Sequence, residues 1–180
     1  MKRSMIIFFS VGCFALGVLV YAISRGWIVI QRPLNTVSLL HDKNHSVEKK
    51  IITFYFWHAD TWQHDTMELI WPKDTAQQLN LVVSKWLAIV LEEGAYEKRI
   101  SLQSALVSDT QEAYVSFDRN PIVKSRATLQ NLMWFEGLLK TVRNAQIGVR
   151  NIYFMTHYQP INDTHFDFSR SWPTTGFMQS

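Results

Sequence analysis

Apolar residues along the chain fall into blocks of different period, and each block predicts an element. From Ser4 to Ser24 there is no charged residue, and Met5 to Ser24 reads MIIFFSVGCFALGVLVYAIS. Ile51 to His58 (IITFYFWH) is apolar on both sides, with Ile52, Phe54 and Phe56 set against Ile51, Tyr55 and Trp57. It predicts a strand lying inside a sheet or under a helix. The polar stretch ADTWQHDT reads as a loop, and Met67 to Trp71 (MELIW) as a short second strand stopped by Pro72. Asp74 to Glu93 has helical period. Asp74 stands at the cap, Gln77 at the capping-box position and Gly94 at the end. Leu79, Val82, Val83, Trp86 and Val90 form one stripe, widened by Leu87, Ile89 and Leu91. Ile100 to Val107 alternates as a third strand. Ala113, Val115 and Phe117 alternate with Tyr114 and Ser116 in a fourth.

Ser125 to Asn144 predicts a second helix capped by Ser125. Leu129, Leu132, Phe135, Leu139 and Val142 would point inward, and Arg126, Gln130, Lys140 and Arg143 outward. Val149 to Thr156 predicts a fifth strand, YQPINDTH a turn, and Phe166 to Phe168 a short last strand. The order β-β-α-β-β-α-β lacks the strict alternation of a doubly wound parallel fold. It predicts an α+β domain in which one mixed sheet carries two helices packed on one face.

The uncharged N-terminal run changes the picture from a free domain to an anchored one. Twenty helical residues span roughly 30 Å, the hydrocarbon thickness of a bilayer. Lys2 and Arg3 precede the run, and Arg25-Gly26-Trp27 follows as a membrane-edge flank. A cleaved signal would have a shorter apolar region and a small-x-small exit. Val11-Gly12-Cys13 approaches a lipobox, but Ser10 stands where Leu is expected, and Phe14 to Ala22 stays apolar. The expectation is a single N-terminal transmembrane helix over 1–26, a juxtamembrane linker over 27–50, the α+β domain over 51–173 and a tail over 174–180. The charges before the helix favour an inside N-terminus and a domain outside, on a bacterial inner membrane with the bilayer itself as one partner.

Composition narrows the function classes. Lys and Arg number 18 against 15 Asp and Glu, a net charge of +3 with no basic run longer than two, so nucleic acid is not an expected partner. Cys13 is the single cysteine, which excludes an intramolecular disulfide and a cysteine-based zinc site.

Candidate chemistry is thin. His58, Asp60, His64 and Asp65 are metal-ligand types within HADTWQHD, but His58 and His64 have no known ligand spacing. His157, Asp163, His165 and Asp167 form a second set; a last hairpin folded on the fifth strand would make His157 and His165 a cross-strand polar pair. Asp109, Glu112 and Asp118 are carboxylates at a turn and a strand end, where solvated acids are expected anyway. No G-x-S-x-G and no H-E-x-x-H occurs. The triplets at Asn44 and Asn162 fit the glycosylation pattern only in a eukaryotic secretory setting. The expectation is therefore no catalytic residue, no metal and no cofactor. Trp57, Trp62, Trp71, Trp86, Trp134 and Trp172 are spread over the domain, and Trp62, in the polar stretch, is the candidate interface residue.

The series ITFYFWHAD, MELIWPKD, a helix ending LEEG, and ISLQSALVSDTQEAYVSFDRN resembles a GerMN domain, as do GLLKTVRNAQIGVRNIYFM and HFDFSRSWP in the second half. The resemblance covers Ile51 to Pro173 and lies in the pattern of apolar positions. The chain departs from the family at Asp109-Thr110, where a turn Gly is usual, at Thr128 or Leu129, where a Glu is frequent, and near Asn162-Asp163, where a Gly is expected. The resemblance implies a fold similar to ring-building motifs and no enzymatic activity. The expected function is a noncatalytic, membrane-anchored envelope protein whose domain makes protein contacts, with copies of itself or with a partner. The alternative is an envelope enzyme or ligand-binding module acting on peptidoglycan or a related polymer.

Overall fold

The computed structural model describes residues 48–94 and 99–177, all within one compact unit, Ser46–Ser180. The expected anchor, Cys13 and most of the linker lie outside the described residues. Among the described residues no helix is long and apolar enough to cross a membrane.

β1 (Lys49–His58) and β2 (Thr61–Ile70) form an antiparallel hairpin in unbroken register, from Lys49↔Ile70 to His58↔Thr61. The chain reverses on Ala59 and Asp60, whose φ of 48° and 58° are the left-handed pair that a tight, correctly twisted hairpin turn requires. The loop expected over ADTWQHDT is therefore mostly strand. Its alternation was invisible because Gln63 to Thr66 are polar and exposed on both faces of β2.

β3 (Leu102–Val107), β4 (Glu112–Phe117), β5 (Asn151–Thr156) and the short β6 (Gln159–Pro160) and β7 (Trp172–Pro173) make a second, five-stranded sheet. β4 and β5 run parallel and the other pairs antiparallel, so this sheet is mixed. The α+β class holds, but the single sheet expected from the sequence is two sheets. The reason lies at the outer edge of β1, which is closed by helix side chains rather than by another strand. The N–H of Tyr55 donates to Thr141 Oγ1 at 2.9 Å, and its carbonyl accepts from Trp86 Nε1 at 2.7 Å.

α1 (Thr75–Glu92) starts on Asp74, whose Oδ1 accepts from the N–H of Gln77 at 2.8 Å, and stops at Gly94, where φ is +65°. α2 (Thr128–Asn144) begins later than expected. Ser125 is not its cap; Ala127 holds that position and makes no side-chain cap bond. Asn131 fixes the preceding turn instead, bonding both the N–H and the carbonyl of Val123. Leu129 is 54% exposed, which removes it from the expected inward stripe, whereas Met133, Trp134 and Leu138 are buried. The stripe is broader than the periodicity implied because α2 meets β1 on one side and the five-stranded sheet on another. Gly137 and Thr141 face Tyr55, while Trp134 meets Phe117 at 5.6 Å and Phe135 meets Phe154 at 5.0 Å.

Phe166 to Phe168 is not a strand. Phe168 is buried by stacking on Trp172, ring centroids 4.9 Å apart. The fold continues past Pro173: Thr174 is buried and its hydroxyl reaches the carbonyls of Val149 and Arg150, and the N–H of Phe177 donates to Glu136 Oε1 at 2.7 Å.

Candidate interaction surface

The register of the hairpin sorts its side chains onto two faces. Ile52, Phe54, Phe56 and Leu69 point into the core and are buried. Ile51, Thr53, Tyr55 and Trp57 lie on the other face, opposite Glu68, Thr66, His64 and Trp62, with Ile70 next to Ile51 on the diagonal. Ile51 and Ile70 are 69% and 67% exposed. A threonine pair, Thr53 and Thr66, separates this aliphatic end from an aromatic end.

At the aromatic end Trp57 and Trp62 meet edge to face, with centroids 5.3 Å apart. Lys140 of α2 reaches over this group, its Nζ 4.6 Å from the ring of Tyr55 and 4.9 Å from that of Trp62. Trp62 is thus a strand residue, half-buried, with a cross-strand partner and a cation above it, and not an indole standing alone in a loop. Tyr55, Lys140, Ile51 and Ile70 were not named as interface candidates from the sequence. The signal available for the tryptophans was their equal spacing about Ala59-Asp60, which a two-residue turn converts into a direct pair.

The polar candidates fall in separate places, His58 with Asp60 at one cleft and Asp163 with His165 at another. His58 and His64 fall on opposite faces of the hairpin, and Asp60 lies in its turn. Asp65 Oδ1 accepts from the N–H of Thr66. His157 sits in the β5–β6 turn with φ of +50°, and His165 belongs to no strand, so the cross-strand pair is not formed. Asp163 accepts from the N–H groups of His165 and Phe166, and Asp167 from Ser169. Among the described residues no three His, Cys, Asp or Glu side chains gather as a metal site.

Asp118 closes the start of β3: its Oδ1 accepts from the N–H of Ser101 at 2.9 Å and its Oδ2 pairs with Arg119. Glu112 and Asp118 stand at opposite ends of β4, roughly 20 Å apart on an extended strand. Paired glycosidase carboxylates sit about 5–9.5 Å apart. Two clefts flank the start of α2. One of about 230 Å³ is lined by His58, Asp60, Arg126 and Gln130. The other, of about 420 Å³, is lined by Lys124, Arg126, Thr128, Asn131 and His165.

No family model matches the sequence, no curated protein matches it, and no solved structure matches the fold. The likeness to GerMN domains therefore rests on the residue pattern alone.

Proposed function

We propose that this is a noncatalytic protein-contact module, held outside a bacterial inner membrane by the N-terminal segment, whose contacts are made through the outer face of the β1–β2 hairpin. The observation that carries this reading is the exposure of Ile51 and Ile70 on the same face as the Trp57–Trp62 pair. Interfaces concentrate tryptophan and tyrosine at their centres, and Tyr55 and Trp62 already lie side by side under Lys140. The rival, a ligand-binding or enzymatic module for an envelope polymer, would use the cleft that Lys124 and His165 line.

A photo-crosslinking amino acid placed at Ile51 or Ile70 in the full-length chain, in membranes, tests the proposal. Protein adducts are expected from both sites and not from Leu106, which is 61% exposed on the five-stranded sheet. Adducts from Leu106 alone would move the interface to that sheet.

A further inference from the structure

The two edges of the hairpin are unlike each other. The ladder bond from the N–H of Trp71 to the carbonyl of Glu48 fixes which residues bond across the hairpin: the even-numbered ones of β1 with the odd-numbered ones of β2. The main-chain groups of Trp62, His64, Thr66, Glu68 and Ile70 therefore point away from β1, along the outer edge of β2. Where the corresponding edge of β1 is closed at Tyr55 by Thr141 and Trp86, nothing among the described residues covers that of β2. The one contact there is local, Asp65 Oδ1 accepting from the N–H of Thr66 at 2.7 Å. Proteins blunt such edges with charged side chains, lysine above all, or with proline, a bulge or a short strand. β2 carries two acids, Asp65 and Glu68, but it is ten residues long, has neither lysine nor proline, and keeps its register throughout.

We infer that the outer edge of β2 pairs antiparallel with β2 of a second copy of this chain, about a two-fold axis at Thr66. This deepens the contact-module reading and rests on it. The occupant follows from the strand's own sequence. In an antiparallel pair the outward-pointing residues must face one another, so only registers matching even-numbered residues are open. Centred on Thr66, the register sets Trp62 against Ile70 of the copy, His64 against Glu68, and Thr66 against Thr66. Apolar meets apolar, an imidazole meets a carboxylate, and all five outward residues are used. The next register one way sets Asp65 opposite Asp65, two carboxylates in direct opposition. The next the other way brings Pro72 opposite Trp62, where it has no N–H to give. The matched register gives a two-fold, isologous contact. It joins two hairpins into one four-stranded sheet and makes the exposed Ile51–Ile70 and Trp57–Trp62 patches continuous across both copies.

The test uses the full-length chain with Cys13→Ser, since Cys13 is the single native cysteine. Facing residues of a hydrogen-bonded pair lie about 5.5 Å apart at Cα, within disulfide reach. Under mild oxidation in membranes, Thr66→Cys should give a covalent dimer, and Asp109→Cys, on an exposed turn, should not. His64→Cys and Glu68→Cys should each dimerise poorly alone and form a mixed dimer when co-expressed. In detergent, Thr66→Pro should convert a two-protomer particle into a one-protomer one, because it removes an outward N–H and no bond to β1. Thr66→Cys crosslinking no faster than Asp109→Cys, or a wild-type particle of one protomer, overturns the inference. If Thr66→Pro does not fold, the cysteine series decides. Adducts from Ile51 and Ile70 without the Thr66 dimer would leave the contact-module reading standing and this pairing wrong; loss of both would end both.

Discussion

The indole N–H of Trp86 donates to the main-chain carbonyl of Tyr55 at 2.7 Å, from a ring with no exposed surface. One bond thus ties α1 to the edge of β1, across 31 residues of chain. Replacing Trp86 by Phe keeps most of the apolar volume and leaves the carbonyl only the long contact with Thr141 Oγ1 at 3.5 Å. The expected loss is about 1–3 kcal/mol. Trp86→Ala adds a cavity and should cost about 3–5 kcal/mol. Urea unfolding followed by circular dichroism measures both. A Trp86→Phe loss near zero would mean that the hydrogen bond contributes nothing.

Gly137 lets α2 approach that same edge. A Cβ there would lie 2.9 Å from the carbonyl oxygen of Tyr55 and 3.4 Å from Phe56 Cα. In an exposed helix Gly→Ala stabilises by up to about 1 kcal/mol. Here the sign should reverse, because the obstacle is backbone, and Gly137→Ala should lower the urea midpoint. Thr141→Val, which leaves the N–H of Tyr55 without its acceptor at 2.9 Å, should cost about 1–3 kcal/mol by the same measurement.

These contacts explain which parts of the fold were legible in the sequence. α1 was, because its signals are local: Asp74 bonding Gln77, Gly94 at positive φ, and a stripe of buried positions between them. β4 was as well, since Ala113, Val115 and Phe117 alternate under one core. The division into two sheets was not, because what closes β1 is Thr141, 86 residues away. β2 was missed where its residues leave the core, for burial is what writes the period-two pattern into a sequence. Trp62 was identified as an interface candidate by its polar neighbours, yet its strand, its pairing with Trp57 and the cation of Lys140 depend on tertiary placement.

The last described residues are held by Glu136. This side chain is buried, and its Oε1 takes the N–H of Phe177 at 2.7 Å. Gly176 has φ of +76°, and a Cβ on it would overlap Glu136 Oε2. Gly176→Ala should therefore release the segment from Thr174 onward, read as faster proteolysis of the C-terminus with the β1–β2 hairpin still protected. Unchanged proteolysis would show that Glu136 does not hold the segment.

Asp167 gives the one pH-dependent expectation. The hydroxyl of Ser169, then its backbone N–H, and further the charge of Arg170 hold the carboxyl below its ordinary value of 3.8. A carboxyl with a lowered folded-state pKa contributes stability above the ordinary value, and the contribution is lost as pH falls through the folded pKa. Side-chain NMR titration should place its midpoint below 3.8, and Ser169→Ala should move it back up. A midpoint insensitive to Ser169→Ala would show that the hydroxyl is not the cause.

Trp62→Ala separates contact from stability. The ring is half-buried and its packing on Trp57 is edge to face at 5.3 Å, an arrangement worth about 0.5–1.5 kcal/mol beyond its area. A cation over an exposed ring adds about 0.5–1 kcal/mol, here from Lys140. The fold has a core built elsewhere, around Phe54, Trp86, Phe117, Phe135 and Phe154, so it should survive with a modestly lower urea midpoint. Binding should suffer more, since truncating a central interface tryptophan costs at least about 2 kcal/mol, a factor of roughly 30 in affinity. His58→Ala should leave association unchanged, because His58 lies on the opposite face from Trp62. Asp118→Asn should do the same, since an asparagine oxygen can still accept from the N–H of Ser101. Affinity of the detergent-solubilised full-length chain for itself, or for the protein crosslinked from Ile51, provides the readout. Association lost with His58→Ala or Asp118→Asn, and kept with Trp62→Ala, would move function from the hairpin face to the polar sites.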